Sequence, residues 1–334
     1  MKDKVRLNVL AGSVGTYVQA PQGDFKALPE IYQVELTNRC NLKCPMCLRT
    51  TDMDRPEGLL DISLLRKMVE RGDFGGSFYV ELQMAGEPTL HPHLREAIDV
   101  LKYDAGVLVG LSTHGLLIGK KAGVLEALME LDALTISVDS LEPDVYAKLR
   151  YPAKLDNLLA CLSTFFTAMR ARRDAGLDVP FVELQLINTK LAQSSGDTAA
   201  LEALCAEMGW SDLASVRTTE DSFDVMQGRS DGSDKTVNVS MCINPFMSVS
   251  VTQDGTVVSC CFVFDPTPDS PNVYGNLTVN SLAEVWAGRR VADMQAAHAV
   301  GSSPGHCASC YLRSPVSIHL NIVSRLVRAK RQRR

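Results

Sequence analysis

The chain has 334 residues, 46% of them hydrophobic, and a formal net charge of −5. This length suits one large domain plus a small one, and the apolar fraction excludes global disorder. The negative charge argues against a general nucleic-acid binder, and no apolar run reaches the roughly 18 residues of a membrane span.

In chain order, residues 1–30 read as an N-terminal extension. The apolar stretch after the charged start is broken by Gly12, Gly15 and Gln19 and makes a poor signal peptide. Residues 31–37 form a first strand, and a cysteine-bearing loop runs from 38 to about 58. Apolar residues at helical spacing predict a helix from Asp61, with Asp61 as its cap. Strands follow at Phe78–Met84, Gly106–Ser112, Ala133–Asp139, Pro180–Ile187 and Leu213–Thr218. Between them lie helices at His93–Tyr103, Lys120–Glu130, Leu155 to about Ala175, and Thr198–Met208. Strands alternating with helices predict βαβ units and a parallel sheet, with too few units for a complete eightfold barrel. Chemistry then belongs at the C-terminal ends of the strands.

Cys40-Asn-Leu-Lys-Cys44-Pro-Met-Cys47 follows the first strand directly. Three thiolates from one short loop can hold three irons of a [4Fe-4S] cube, leaving the fourth iron open to a small molecule. A zinc knuckle or three core thiols is the plainer alternative. Ala85-Gly86-Glu87-Pro88 follows strand two, Ser112-Thr-His-Gly115 ends strand three, and Ser137-Val-Asp139 ends strand four. Alternation places Ser137 and Asp139 on one face of strand four, and Glu183 and Gln185 share one face of strand five. From strand position, Glu35 and Glu183 are candidate bases and Arg217 is a candidate substrate contact.

Beyond a polar stretch at 220–240 that reads as a linker or lid, two alternating runs flank Asp254-Gly255, a hairpin signature. The hairpin brings Cys242 and Cys260 together, and Cys307-Ala-Ser-Cys310 supplies two more thiols. Four ligands complete a second cube, although the spacing leaves a four-thiolate zinc site open. Cys260 and Cys261 are adjacent. The spacing favours Cys260 as the ligand, which leaves Cys261 as a core thiol, an alternative ligand or a hydrogen-atom donor. Cys161 and Cys205 fall in predicted helices and read as core. Ten Cys in such groups indicate metal ligation in a reducing, cytoplasmic compartment. The tail 317–334 is basic and reads as a solvated helix end.

The C-x3-C-x2-C triplet after a first strand resembles the signature of the radical S-adenosylmethionine (SAM) superfamily. The C-x17-C-x46-C-x2-C series resembles that superfamily's SPASM/twitch C-terminal extension in its single-cluster form. The resemblance implies a partial (β/α)6 TIM-type barrel over 31–220 and an iron–sulfur domain over 241–316. It implies two [4Fe-4S] clusters and SAM, whose reductive cleavage yields a 5′-deoxyadenosyl radical that abstracts a substrate hydrogen atom. It places Met46 near the adenine, Gly86 and Glu87 near the methionine amino group, and Ser112, Thr113, Ser137, Arg150 and Gln185 around SAM. Asp139 falls near the substrate. The expected chemistry is oxidation of a small polar natural-product intermediate such as an aminosugar or cyclitol, with the auxiliary cluster accepting an electron. Peptide maturation and redox-neutral epimerisation with Cys261 as hydrogen donor are the alternatives. The implied partners are a small-molecule or peptide substrate and a flavodoxin- or ferredoxin-type electron donor, with no nucleic acid and no membrane.

Overall fold

A computed structural model describes residues 28–188, 197–220, 242–308 and 310. The expected N-terminal extension up to residue 27, the linker at 221–240 and the basic tail lie outside the described residues. Six parallel strands alternate with helices: β1 (Glu30–Val34), α1 (Ile62–Glu70), β2 (Tyr79–Glu81), α2 (Leu94–Asp99), β3 (Leu108–Thr113), α3 (Val124–Leu128), β4 (Ala133–Ser137), α4 (Pro143–Leu149), α5 (Leu155–Asp174), β5 (Phe181–Asn188), α6 (Asp197–Glu207) and β6 (Ala214–Glu220). The C-terminal part adds β7 (Ser248–Val251), β8 (Thr256–Val258), β9 (Val273–Asn276), α7 (Leu282–Trp286) and α8 (Arg289–Ala299).

Local sequence accounts for the helices. In α1, Ile62, Leu64, Leu65 and Met68 form the buried stripe, and Asp61 caps the helix by accepting from the Ser63 N–H at 2.8 Å. In α5, Leu155, Leu158, Cys161, Leu162, Phe165, Phe166 and Met169 recur at helical spacing and are buried; Cys161 and Cys205 are both core thiols. The helix expected over Lys120–Glu130 is shorter than its sequence suggests. Gly123 adopts φ +77°, a left-handed conformation that starts the helix only at Val124.

The sheet runs β6-β5-β4-β3-β2-β1-β7-β8-β9 and is open. The hairpin predicted around Asp254-Gly255 forms as antiparallel β7 and β8, with Gly255 at φ +83°. It also does something not predicted: β7 pairs in parallel with β1, so the C-terminal segment extends the barrel sheet. The register slips between Ile31 and Gln33, a bulge that puts the adjacent Tyr32 and Gln33 both on the cavity wall.

Glu35, just past β1, ties these parts together. It is 0% exposed. Its Oε1 accepts from Arg55 Nη2 at 2.5 Å and from the Ala85 N–H at 3.0 Å. Its Oε2 accepts from Arg55 Nη1 at 2.7 Å and from the Gln253 N–H at 3.0 Å. Arg55 Nε also donates to the Phe264 carbonyl at 2.8 Å. The candidate role of Glu35 as a base is therefore corrected: its oxygens are fully engaged in a closed ion pair. Removing one partner of a buried pair strands the other charge, so Arg55→Ala should cost about 3–5 kcal/mol in denaturant unfolding. Paired apolar replacement of Glu35 and Arg55 should recover much of that. A loss under about 1 kcal/mol for Arg55→Ala, the scale of an exposed pair, would contradict this assignment.

Candidate active site

The loop after β1 is fixed by hydrogen bonds to its backbone. Asn38, fully buried, accepts from the Gly58 N–H at 2.7 Å and donates to the Pro56 carbonyl at 2.9 Å, while the Lys43 N–H donates to the Tyr151 carbonyl at 2.7 Å. This brings Cys40, Cys44 and Cys47 to one wall of a cavity of about 350 Å³. Burial pushes the Cys40 thiol up to about 12, against the Leu42 N–H that donates to its Sγ at 3.4 Å. Burial also raises Cys44, against Arg150, whose Nη1 stands 4.0 Å from that sulfur. No three of the metal-ligating side chains among the described residues are closed to ligating distance. The fit to a cluster rests on the donor set: three soft thiols on one wall, with N–H and guanidinium donors beside two of them.

Gly86 packs against this loop. A Cβ there would stand 2.1 Å from the Thr37 carbonyl oxygen and 2.6 Å from that of Arg39. The N–H groups of Ala85 and Glu87 are engaged by Glu35 and by the Arg39 carbonyl at 2.8 Å, which leaves the carbonyl side as the edge that suits an ammonium. Glu87 is buried and faces inward across the turn. Its carboxylate accepts from the Thr89 N–H and hydroxyl, from the Thr113 hydroxyl at 2.7 Å and from the His114 N–H at 3.0 Å. His114 Nδ1 accepts from the Leu116 N–H at 3.0 Å. Nε2 therefore carries the proton and donates to Asn41 Oδ1, 2.8 Å away in the cysteine loop. His114 thus braces the turn after β3 against the cysteine loop.

Met46, Gly86, Glu87, Ser112, Thr113 and Ser137 all line the cavity, as do Arg150, Gln185, Glu183 and Arg217. Asp139 does not share a strand face with Ser137 as alternation suggested. It lies beyond the end of β4 at φ +62°, fully buried, and forms an ion pair with Arg150. Burial raises its carboxyl against the pull of that guanidinium. Asp139 is absent from the cavity wall, and its place near substrate is corrected to one that orients Arg150. On the opposite side, Arg217 reaches Glu183 at 3.4 Å and Gln185 at 2.7 Å. Sequence reasoning missed Gln33, Tyr79 and Glu81, which also line the cavity. Their signal was polar residues inside strand runs, the same signal that singled out Glu183 and Gln185.

At the second cysteine group, burial and the neighbouring thiols of Cys260, Cys310 and Cys242 push Cys307 up to about 11. Cys307 Sγ accepts from Asn272 Nδ2 at 3.2 Å, and Cys260 Sγ from Asn244 Nδ2 at 3.9 Å. The four expected ligands are neighbours, with amide donors to two of them; four soft thiols are a donor set that fits an iron–sulfur cluster. Cys261 is half-buried, interacts with Cys260, and is not on the cavity wall. Phe264, shortly after it, is on that wall.

Comparison with known proteins identifies the class. Residues 34–177 match the radical SAM superfamily model, and residues 242–311 match the SPASM iron–sulfur cluster-binding domain. The chain belongs to the radical SAM superfamily and carries a SPASM domain: its cofactors are a [4Fe-4S] cluster with SAM and auxiliary iron–sulfur ligation. It is 28% identical over 164 residues to a tungsten-containing aldehyde ferredoxin oxidoreductase cofactor-modifying protein of Pyrococcus furiosus, covering 47% of this chain and 43% of that protein. It is 24% identical over 309 residues to the GTP 3′,8-cyclase of Corynebacterium glutamicum, covering 77% and 78%. The match thus spans less than half the length of the first of these relatives. Among solved structures, Streptococcus suis SuiB bound to precursor peptide SuiA superposes with TM-score 0.58 at 14% identity, covering 89% of this chain and 73% of that one. BtrN in complex with AdoMet and 2-DOIA gives 0.50 at 14%, covering 87% and 98%. These likenesses show the shared fold. Among the described residues no helix is long and apolar enough to cross a membrane.

Burial holds His114 below the ordinary imidazole value, against the opposing pull of Glu87. The unfolded imidazole takes a proton near pH 6.5 and the folded one resists it, so stability falls as pH drops through about 6.5. Denaturant midpoints measured between about pH 5 and 8 should show this slope, and His114→Gln should flatten it. Equal slopes in both proteins would contradict a neutral, buried His114.

Proposed function

We propose that the chain dehydrogenates a small polar intermediate, such as an aminosugar or cyclitol, with the auxiliary cluster as electron acceptor and a flavodoxin- or ferredoxin-type donor as reductant. The observation that carries this reading is the cavity itself. Its volume, about 350 Å³, is of small-molecule scale, and the candidate SAM contacts lie on the same wall, so SAM and substrate would share it. Its wall includes residues from the cysteine loop, from all six barrel strands and from the auxiliary segment at Phe264. A substrate there would sit between the two cysteine groups, where hydrogen abstraction on one side and electron removal on the other give a net two-electron oxidation. When bound, the first cluster and SAM supply the hydrogen-abstracting radical.

The chain's own residues would hold the reactants. Arg150, aimed by Asp139, offers a guanidinium toward the cysteine wall and suits a carboxylate. Thr113 and Ser112 give their hydroxyl protons to Glu87 and Glu81, which leaves their oxygens to accept from ribose or substrate hydroxyls. Tyr32 and Tyr79 pack with Leu108, Ala133 and Phe181 in a separate apolar cluster toward the starts of the barrel strands.

Peptide modification is the second reading, favoured by the likeness to SuiB with its precursor peptide. Incubation with SAM, reductant and candidate aminosugars, followed by mass spectrometry, separates the readings. A product lighter by one H₂, with substrate deuterium recovered in 5′-deoxyadenosine, is expected. Deuterium transfer with unchanged product mass, or turnover only of peptides, would contradict it.

A further inference from the structure

The lumen wall carries a carboxylate that differs from the other buried acids. Glu35, Asp73, Asp139 and Glu183 each face an arginine within 4 Å, and Glu87 is matched by N–H groups, hydroxyls and His114. Glu81, 5% exposed, has two hydroxyl partners and no cation at that range among the described residues. Tyr79 donates to its Oε2, and Ser112 donates to Oε1 at 2.8 Å. Arg217 attracts it only from further off, and Glu183 repels it; burial dominates and raises its pKa. Space for this arrangement comes from β3, where a Cβ on Gly110 would lie 1.6 Å from the Tyr79 hydroxyl and 2.5 Å from Glu81 Oε2.

An unpartnered acceptor stands next to it. Gln33 on β1 is the register partner of Glu81 on β2, and both line the cavity. Gln33 is 8% exposed, and its Oε1 is buried with no hydrogen-bond partner. Buried acceptors are almost always satisfied, and a buried carboxylate without a cation is costlier still. Each Glu81 oxygen retains a lone pair beyond its hydroxyl donor. The wall therefore lacks positive charge and N–H donors at one place. A substrate hydroxyl brings one donor and no charge, whereas a primary ammonium brings three donors and the charge.

We propose that Gln33 and Glu81 form the subsite for a primary ammonium group of the substrate, with Tyr79 and Ser112 as the residues that position Glu81. This rests on the small-molecule reading above and narrows it to amine-bearing substrates: an aminosugar or aminocyclitol, not a neutral cyclitol. The subsite lies on β1 and β2, next to Ser112 of β3, whereas the other candidate SAM contacts Arg150 and Gln185 come from the end of α4 and from β5.

The test is binding, not turnover. The reconstituted chain with SAM would be titrated calorimetrically with two probe pairs, D-glucosamine against D-glucose and ethanolamine against ethylene glycol. A hydrogen-bonded charge pair predicts at least about tenfold tighter binding of the amine in each pair. Glu81→Gln should abolish that preference, Glu81→Asp should retain part of it, and Gln33→Leu should reduce it. Iron content and SAM cleavage without substrate report whether each variant is folded; if Glu81→Gln is not, Gln33→Leu carries the test. Equal binding within the pairs, binding of neither pair, or a preference unchanged in the folded variants would overturn the subsite. An amine preference without any dehydrogenation would leave the subsite standing and remove the oxidation reading. Dehydrogenation without an amine preference would do the reverse.

Discussion

The carboxylate of Glu35 is the interaction on which the rest of the structure depends. It takes donors from three separate segments: the cysteine loop through Arg55, the start of the Gly86-Glu87 turn through Ala85, and the β7–β8 hairpin through Gln253. Arg55 adds a fourth by reaching the Phe264 carbonyl and, with its N–H, Asp265 Oδ1 at 3.0 Å. A buried charge is tolerable only while its partners stay in place, so these segments are held in one arrangement. A second clamp works alongside. Asp73 pairs with Arg71 and accepts from the Leu282 N–H at 2.9 Å, at the start of α7. The radical SAM barrel and the SPASM segment are thereby held at fixed separation around a shared cavity.

That cavity is polar in a graded way. Near the cysteines the carboxylate charges are matched, Asp139 by Arg150 and Glu87 by N–H groups and hydroxyls. Deeper in the lumen, among the described residues, Glu81 has hydroxyl partners but no paired cation, and Gln33 Oε1 has no partner. Unmatched groups at the cysteine end would compete with the cofactor, whereas unmatched groups in the lumen are free to select a substrate. Gly86 and Gly110 serve opposite needs within this scheme. Gly86 lets two backbones touch, and Gly110 makes room for a tyrosine–carboxylate contact.

Much of this was legible in the sequence. The strands stood out because apolar runs alternate with amphipathic helices. The cysteine loop, the Gly86-Glu87 turn and the hairpin at Asp254-Gly255 are short-range patterns carried by a few residues each. What escaped is long-range. Nothing local marks that β7 pairs with β1 across more than two hundred residues, and without that pairing Glu35 looks like a free acid at a strand end. Asp139 failed for a different reason: a left-handed residue breaks the alternation from which its direction was read. Glu81 was hidden because a carboxylate in a buried strand has meaning only once its neighbours, and the absence of a cation among them, are known.

The claim that the chain carries two separate cluster sites, the first of them on the cavity wall, is tested most directly by metal content. Iron and acid-labile sulfide would be measured after anaerobic reconstitution of the wild-type chain and of a Cys40→Ala, Cys44→Ala, Cys47→Ala variant, alongside 5′-deoxyadenosine formation. The account predicts about eight irons in the wild type and about four in the variant, with 5′-deoxyadenosine from the wild type alone. A variant without iron, or zinc at the second cysteine group, would contradict it and remove the electron acceptor on which the oxidation reading rests.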